Sequence, residues 1–311
     1  MIGREVAGTG SVESATVEVR APAKLTLSLE VTGVRPDGYH LLAAEFVTVN
    51  LFDTLYIAGG ADPGLTVSYG TGGETGETGE SDQGGAAEQG GPADQEPDWP
   101  WDPVSVDPDN LVRRALEAVG VRASIRLVKR IPPGAGLGGG SADAATVLRW
   151  AGRTDVELAA SLGADVPFCL VGGRARVSGI GEMVEPLPHV ERTFTLLVPP
   201  FGMDTAAVYK TWDEFASERH RGSEPASTND LEAPAVRLEP RLLEWKEALA
   251  AASGRHPQLA GSGSTWFVEG PVEEVPTIHH AGGRWLQVGS ERGLLAEVTT
   301  TPRLDAGGRS V

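Results

Sequence analysis

The run Ile131-Pro132-Pro133-Gly134-Ala135-Gly136-Leu137-Gly138-Gly139-Gly140-Ser141-Ala142-Asp143-Ala144-Ala145-Thr146 places five glycines and a serine directly before an alanine-rich helical pattern. Glycine lets backbone N–H groups turn toward a ligand without a Cβ in the way, and the free N–H groups of a helix start add a positive dipole end. The chemistry this suits is the binding of an anion such as a nucleotide polyphosphate. A flexible linker has a similar composition. Here, however, an alternating strand pattern (Ser124, Ile125, Arg126, Leu127) precedes the loop, two prolines stiffen its entry, and Ser141 is placed to act as N-cap of the helix.

Two familiar phosphate loops fit poorly. Gly134, Gly136 and Gly139 satisfy the dinucleotide fingerprint G-x-G-x-x-G, but the upstream strand alternates like a half-exposed antiparallel strand and two prolines separate it from the glycines. In the P-loop pattern Lys must follow the second glycine, and Gly140 stands there instead. The loop is therefore a phosphate cradle of a third kind.

A phosphate cradle needs a partner that activates an acceptor. The best carboxylate is Asp165, in Leu162-Gly163-Ala164-Asp165-Val166-Pro167-Phe168, where an Asp can equally be a helix cap. The best cation is Lys24, flanked by Ala23 and Leu25, in a strand pattern where a lysine ordinarily faces solvent. Tyr39 and His40, after the turn signal Pro36-Asp37-Gly38, read either as a corner on which a base could stack or as a hairpin end with a packed Tyr. The other histidines show no partner spacing, and Glu182 and Glu185 read as surface carboxylates.

The elements that must position these residues are legible in outline. Alternation predicts one or two strands over 16–29, interrupted at Ala21-Pro22-Ala23, and further strand over 46–57 with a turn near Asp53. Helical spacing covers 110–119 with Gly120 as its stop, 142–150, 156–162, 205–215 and 240–252. Strands recur at 174–177, 193–198, 265–269 and 284–288, and Pro199-Pro200 lies near the start of a second half.

Length and composition bound the rest. A chain of 311 residues suggests about two domains. It has no apolar run of bilayer length and no signal-peptide core at its start, which predicts a soluble, cytoplasmic protein with no membrane partner. The single cysteine, Cys169, excludes an internal disulfide and reads as a small buried hydrophobe. The net charge of -17 argues against nucleic acid as a partner. Eight acids and no bases fall within 71–98, a segment too poor in apolar side chains to order itself, which reads as a disordered insertion.

Taken together, these segments resemble the GHMP kinase superfamily, and within it the 4-diphosphocytidyl-2-C-methyl-D-erythritol kinases. Ala21-Pro22-Ala23-Lys24-Leu25 with Thr32-Gly33-Val34-Arg35-Pro36-Asp37-Gly38-Tyr39-His40 is similar to the first family motif, and Pro132 to Ala145 to its ATP loop. Leu162 to Phe168 is similar to its catalytic segment. Asn229-Asp230-Leu231-Glu232 and Leu259-Ala260-Gly261-Ser262-Gly263-Ser264-Thr265 echo its C-terminal motifs.

The resemblance implies an α/β (α+β) kinase of two domains, ribosomal-protein-S5-like over 1–190 and ferredoxin-like over 191–311, with substrates in the cleft between. It implies Asp165 as catalytic base with Lys24 beside it, residues 132–142 as the ATP-phosphate loop, and Mg2+ near the Ser141 hydroxyl. Tyr39 and His40 would recognise the cytidine end of a small cytidyl-diphosphate substrate, and Gly261, Ser262 and Gly263 would close the site. The family's Asn two residues after the lysine is replaced by Thr26, which offers a hydroxyl in place of an amide at a substrate contact. The state implied is monomer or homodimer. Two alternatives remain: another GHMP-type kinase acting on a sugar or mevalonate, which the Asp37 to His40 corner disfavours, and a non-catalytic nucleotide-binding relative, which would have lost Lys24 or Asp165.

Overall fold

The computed structural model describes residues 15–70, 99–218, 228–272, 277–280 and 283–303. The acidic segment 71–98 lies outside the described residues, so the expectation made for it has no structural counterpart. Within them the chain is a mixed α/β fold with two six-stranded sheets.

The first sheet holds β1 (Thr16–Val34), β2 (His40–Gly59), β3 (Gly64–Tyr69), β4 (Ala123–Lys129), β5 (Arg174–Gly179) and β6 (Met183–Leu187). Its order is β3-β4-β2-β5-β6, with β1 pairing β2 along the opposite edge. β4 joins the second half of β2 at Thr54–Gly59, and β5 the first half at Leu42–Val47. Four helices accompany it: α1 (Leu111–Val119), α2 (Gly139–Trp150), α3 (Val156–Leu162) and α4 (Val166–Val171). The second sheet, in order β10-β11-β12-β7-β9-β8, holds β7 (Thr193–Val198), β8 (Gln258–Leu259), β9 (Trp266–Glu269), β10 (Thr277–His280), β11 (Gly283–Val288) and β12 (Glu291–Thr299). With it go α5 (Thr205–Glu218), α6 (Glu232–Leu238) and α7 (Leu242–Ser253).

One apolar cluster packs Phe46, Leu55, Ile57 and Leu127 of the first sheet against Val147 and Leu148 of α2 and Phe168 of α4. A second joins Leu25, Val47 and Val49 of that sheet to Phe194, Leu196 and Val198 of β7, alternate residues on one face of each strand. Ile131, Ala135 and Leu137 belong to this second cluster. The glycine loop is therefore anchored by its apolar members in the seam between the sheets, the buried Ile131 and Leu137 side chains contributing about 1.5–3 kcal/mol each.

Two sequence expectations need correction. No turn occurs near Asp53, because β2 runs unbroken from His40 to Gly59. Asp53 is fully buried, and the register shift of that region lies between Pro22 and Ala23 of β1, where Asn50 and Leu51 of β2 are the extra residues. The polar group that reads locally as turn chemistry is satisfied from a distant strand: its carboxylate accepts from the Lys129 ammonium, from Arg130 N at 2.6 Å and from Ile131 N at 2.8 Å. Ser141 is also not an N-cap. The helix starts three residues earlier, behind Gly138 as N-cap in the left-handed region (φ 66°, ψ 25°), and no side chain caps it.

The glycine loop also locks onto the second half of the chain. A Cβ on Gly136 would lie 2.1 Å from the Ala260 carbonyl oxygen, and one on Gly134 would lie 2.9 Å from the Gly202 Cα. Hydrogen bonds from Met203 N to Gly134 O (2.8 Å) and from Thr265 N to Ala135 O (3.2 Å) hold the contact. Only backbone without side chains can approach this closely.

Two stability measurements check these anchors. Asp53→Ala takes one of its two acids from a buried ammonium and strands two backbone donors, so denaturant unfolding should show a loss of about 3–5 kcal/mol; Asp62→Ala, which breaks an exposed pair with Arg122, should leave the midpoint unchanged. Gly136→Ala should both lower the melting temperature and weaken nucleotide binding at least about tenfold, since the clash displaces the loop. The control Gly152→Ala has a positive φ but open space around it, and should show only the left-handed penalty of about 1–2 kcal/mol with binding intact.

Candidate active site

A cavity of about 970 Å³ opens between the glycine loop, β1, α4, α5 and the second glycine loop. Its floor is the start of α2. The first amide bonded back into that helix belongs to Ala142, which donates to Gly138 O at 2.9 Å, so the N–H groups of Gly139, Gly140 and Ser141 have no partner within the helix. With no side-chain cap, this end offers its donors and its dipole to the cavity. The residues present thus fit a bound polyphosphate. Ser141, half-buried on the same wall, fits as a hydroxyl for an accompanying cation.

Lys24 and Asp165 converge beside this floor. The backbone N of Lys24 donates to Leu137 O at 3.0 Å, which ties β1 to the loop. Its stem runs beneath Gly138, where a Cβ would come within 2.7 Å of Lys24 Cγ. Its ammonium lies 3.0 Å from Asp165 Oδ2 and 4.4 Å from the centre of the Phe46 ring. Phe46 is held in turn by edge contact with Phe168 of α4 at 5.3 Å. Asp165 takes the N-cap position of α4, yet its side chain caps nothing and turns to Lys24. It keeps 34% exposure where Lys24 keeps 7%, so the carboxylate is the more open member of a pair that lines the cavity together.

Beneath the floor, Lys129 is paired with Asp53 and, at 2.8 Å, with Asp143. Burial alone would lower the Lys129 ammonium, but Asp143 and Asp53 outweigh it and hold it above the ordinary lysine range. Burial, with the Asp53 charge adding to it, pushes the Asp143 carboxyl up to about 7 against the opposing pull of Lys129. Lys129 is thereby committed to its two acids, leaving Lys24 as the cation beside Asp165.

At the cavity's other end stands the aromatic corner. Tyr39 is 58% exposed. The His40 ring is 4.7 Å from that of Tyr209 and 5.5 Å, edge-on, from Trp212, and its Nε2 is 2.8 Å from Asp213 Oδ1. Burial raises the Tyr209 hydroxyl above its usual range. Gly261 and Ser262 reach the cavity from the second glycine loop, where the Ser262 hydroxyl meets that of Thr205 at 2.9 Å. The Asn229 amide fixes this loop through Leu259 O (2.9 Å) and Gly261 O (2.7 Å).

Of the residues expected at the site, Lys24, Asp165, Tyr39, His40, Gly261, Ser262 and most of 132–141 line the cavity. Leu137 and Ala142 are buried one layer behind it. Gly263 backs onto Leu259 and Met203. Thr26 is 1% exposed, with its Oγ1 without a hydrogen-bond partner and 3.4 Å from the place of a Cβ on Gly261, so it stands behind the wall rather than on it. Sequence reasoning missed Tyr209, Lys210 and Asp213 of α5, which also line the cavity. The available signal was the i, i+4 spacing of Tyr209 and Asp213 on a helix already legible.

Comparison with known proteins finds relatives over most of the chain. Residues 110–173 match the N-terminal domain of the GHMP kinases. The 4-diphosphocytidyl-2-C-methyl-D-erythritol kinase of Paracoccus denitrificans is 38% identical over 267 residues, covering 79% of this chain and 84% of the relative. That of Citrifermentans bemidjiense is 33% identical over 305 residues, covering 92% of this chain and 99% of the relative. A crystal structure of a 4-(cytidine 5'-diphospho)-2C-methyl-D-erythritol kinase superposes with a TM-score of 0.56 at 33% identity, over 81% of this chain and 89% of the other. Matched at 33–38% identity over most of their own length by such relatives, the chain belongs to the 4-diphosphocytidyl-2-C-methyl-D-erythritol kinase family of the GHMP kinases.

Proposed function

We propose that this chain transfers the γ-phosphoryl group of ATP to the 2-hydroxyl of 4-diphosphocytidyl-2-C-methyl-D-erythritol, a step in isoprenoid precursor synthesis, acting in the cytoplasm on a small molecule. Among the described residues no helix is long and apolar enough to cross a membrane. The observation that carries the reading is the 3.0 Å contact between Lys24 and Asp165 on the wall beside an uncapped helix start. Residues 1–190 supply the cradle and the pair, and residues 191–311 bring Tyr209, Asp213 and the second glycine loop to the acceptor side.

ATP is the phosphoryl donor, and the Ser141 hydroxyl would hold its accompanying magnesium, which would supply positive charge to offset that of the phosphates. The amides of Gly139, Gly140 and Ser141 hold phosphate oxygens and orient the terminal group. Asp165 accepts the proton of the acceptor hydroxyl as its oxygen bonds to the γ-phosphorus and the bond to ADP breaks. Lys24, held by Phe46 and the loop, neutralises charge on the transferring group. His40, oriented by Asp213 and packed on Tyr209, holds the cytidine end with Tyr39. The products are the 2-phosphate and ADP.

A coupled ADP-release assay against the cytidyl substrate, a sugar and mevalonate tests the acceptor. Turnover confined to the cytidyl substrate is expected, and faster turnover with either of the others would replace this reading. Asp165→Asn should lower turnover about 10²- to 10⁴-fold with a small change in ATP affinity, and near-normal turnover would remove the base. His40→Ala should raise KM for the cytidyl substrate with kcat less affected; an unchanged KM would remove the cytidine corner.

A further inference from the structure

We propose that Arg149 is a positioning residue for the phosphoryl transfer: it ties the far end of α4 to α2 and so sets where Asp165 stands relative to the phosphate cradle. The inference rests on the reading of Asp165 as base. The cradle is the start of α2 and Asp165 is the start of α4, so the relative placement of the two helices sets the distance between the phosphate and the base.

Helix α4 has six residues, too few to be held by its own propensity. It leaves end carbonyls with no partner inside the helix. Arg149, near the end of α2 and only 5% exposed, supplies them: Nη1 donates to Cys169 O at 2.5 Å and to Leu170 O at 3.3 Å, and Nη2 donates to Thr146 Oγ1 at 2.7 Å. None of these bonds goes to a carboxylate. Burial pushes the guanidinium down to about 10, a sign of how dry its surroundings are.

A buried cation without a counter-charge is an unfavourable way to fill space, since an apolar side chain of similar volume would do so without desolvating a charge. Only a guanidinium supplies several directed donors from one rigid plane. Those donors act one turn from the base, because Cys169 N bonds back to Asp165 O at 3.0 Å. The same turn carries Phe168, which packs on Phe46 beneath the Lys24 ammonium. A slide of α4 along α2 would move Asp165 off Lys24 and off the acceptor, and a misplacement near 1 Å can cost on the order of 10²-fold in rate.

The test is a double-mutant cycle on the full chain with ATP and the cytidyl substrate, with turnover expressed per folded enzyme. Arg149→Met should lower kcat about 10- to 100-fold while KM for ATP stays within about threefold, since the cradle lies at the other end of α2. Arg149→Lys, which keeps the charge but not the fork, should recover part of that loss; it carries the test if the Met variant does not fold. In an Asp165→Asn background, adding either Arg149 change should lower turnover no further, because the tie acts through the base. Turnover of the single Arg149 variants within about twofold of the parent, or a double variant that falls by the product of the two single effects, would overturn the proposal. Asp165→Asn inactive with Arg149→Met unimpaired would remove the tie alone, whereas an active Asp165→Asn would remove the base reading itself.

Discussion

The approach of Lys24 to Asp165 depends on there being no side chain at Gly138. That residue is the N-cap of α2, its φ of 66° is favourable for glycine, and the lysine stem occupies the space a Cβ would take. One glycine therefore satisfies two demands at once. It leaves the helix start uncapped, so that backbone donors face the cavity, and it lets a strand lysine pass beneath the loop to meet an acid at the start of another helix. Gly136 does the equivalent on the other side, where it lets the loop touch the Ala260 carbonyl.

Charge is arranged around this contact in two layers. Next to the cavity are the Lys24–Asp165 pair and the helix dipole; below them lies the almost wholly buried Asp53–Lys129–Asp143 cluster, whose Lys129 and Asp143 reach the cavity wall. The lower cluster holds the two backbone amides that follow β4 and, through Asp143, the second turn of α2, so it holds the loop from both sides. A buried lysine with two acids is costly to desolvate. Its effect is to clamp the strand and the helix at either end of a loop made largely of glycine, which otherwise loses the most entropy on ordering.

Where the sequence was legible, the information was local. Five glycines before an alanine-rich run, a lysine in an alternating strand and a lone acid after a helix stop all sit within a few residues of their own signals, and the structure brings these segments together in one cavity. Most strands and helices were legible for the same reason. What failed was non-local. Asp53 reads as turn chemistry because its partners, Lys129 and the amides beside it, come from another strand. Helix α4 is six apolar residues, too short for a periodicity to separate helix from strand. Ser141 has the type of an N-cap, but the glycines before it can continue the helix and free its donors. Thr26 stands where a family contact was expected, yet the fold places it behind Gly261. Tyr209 and Asp213 become part of the site only because α5 packs on the hairpin that ends at His40.

The most direct measurement of the central claim is a crystal structure of the full chain with a non-hydrolysable ATP analogue and the cytidyl substrate. The account predicts the terminal phosphate against the amides of 139–141, the Lys24 ammonium within about 3 Å of one of its oxygens, and Asp165 within about 3 Å of the acceptor hydroxyl. A terminal phosphate seated elsewhere in the cavity, or an acceptor hydroxyl out of reach of Asp165, would contradict it.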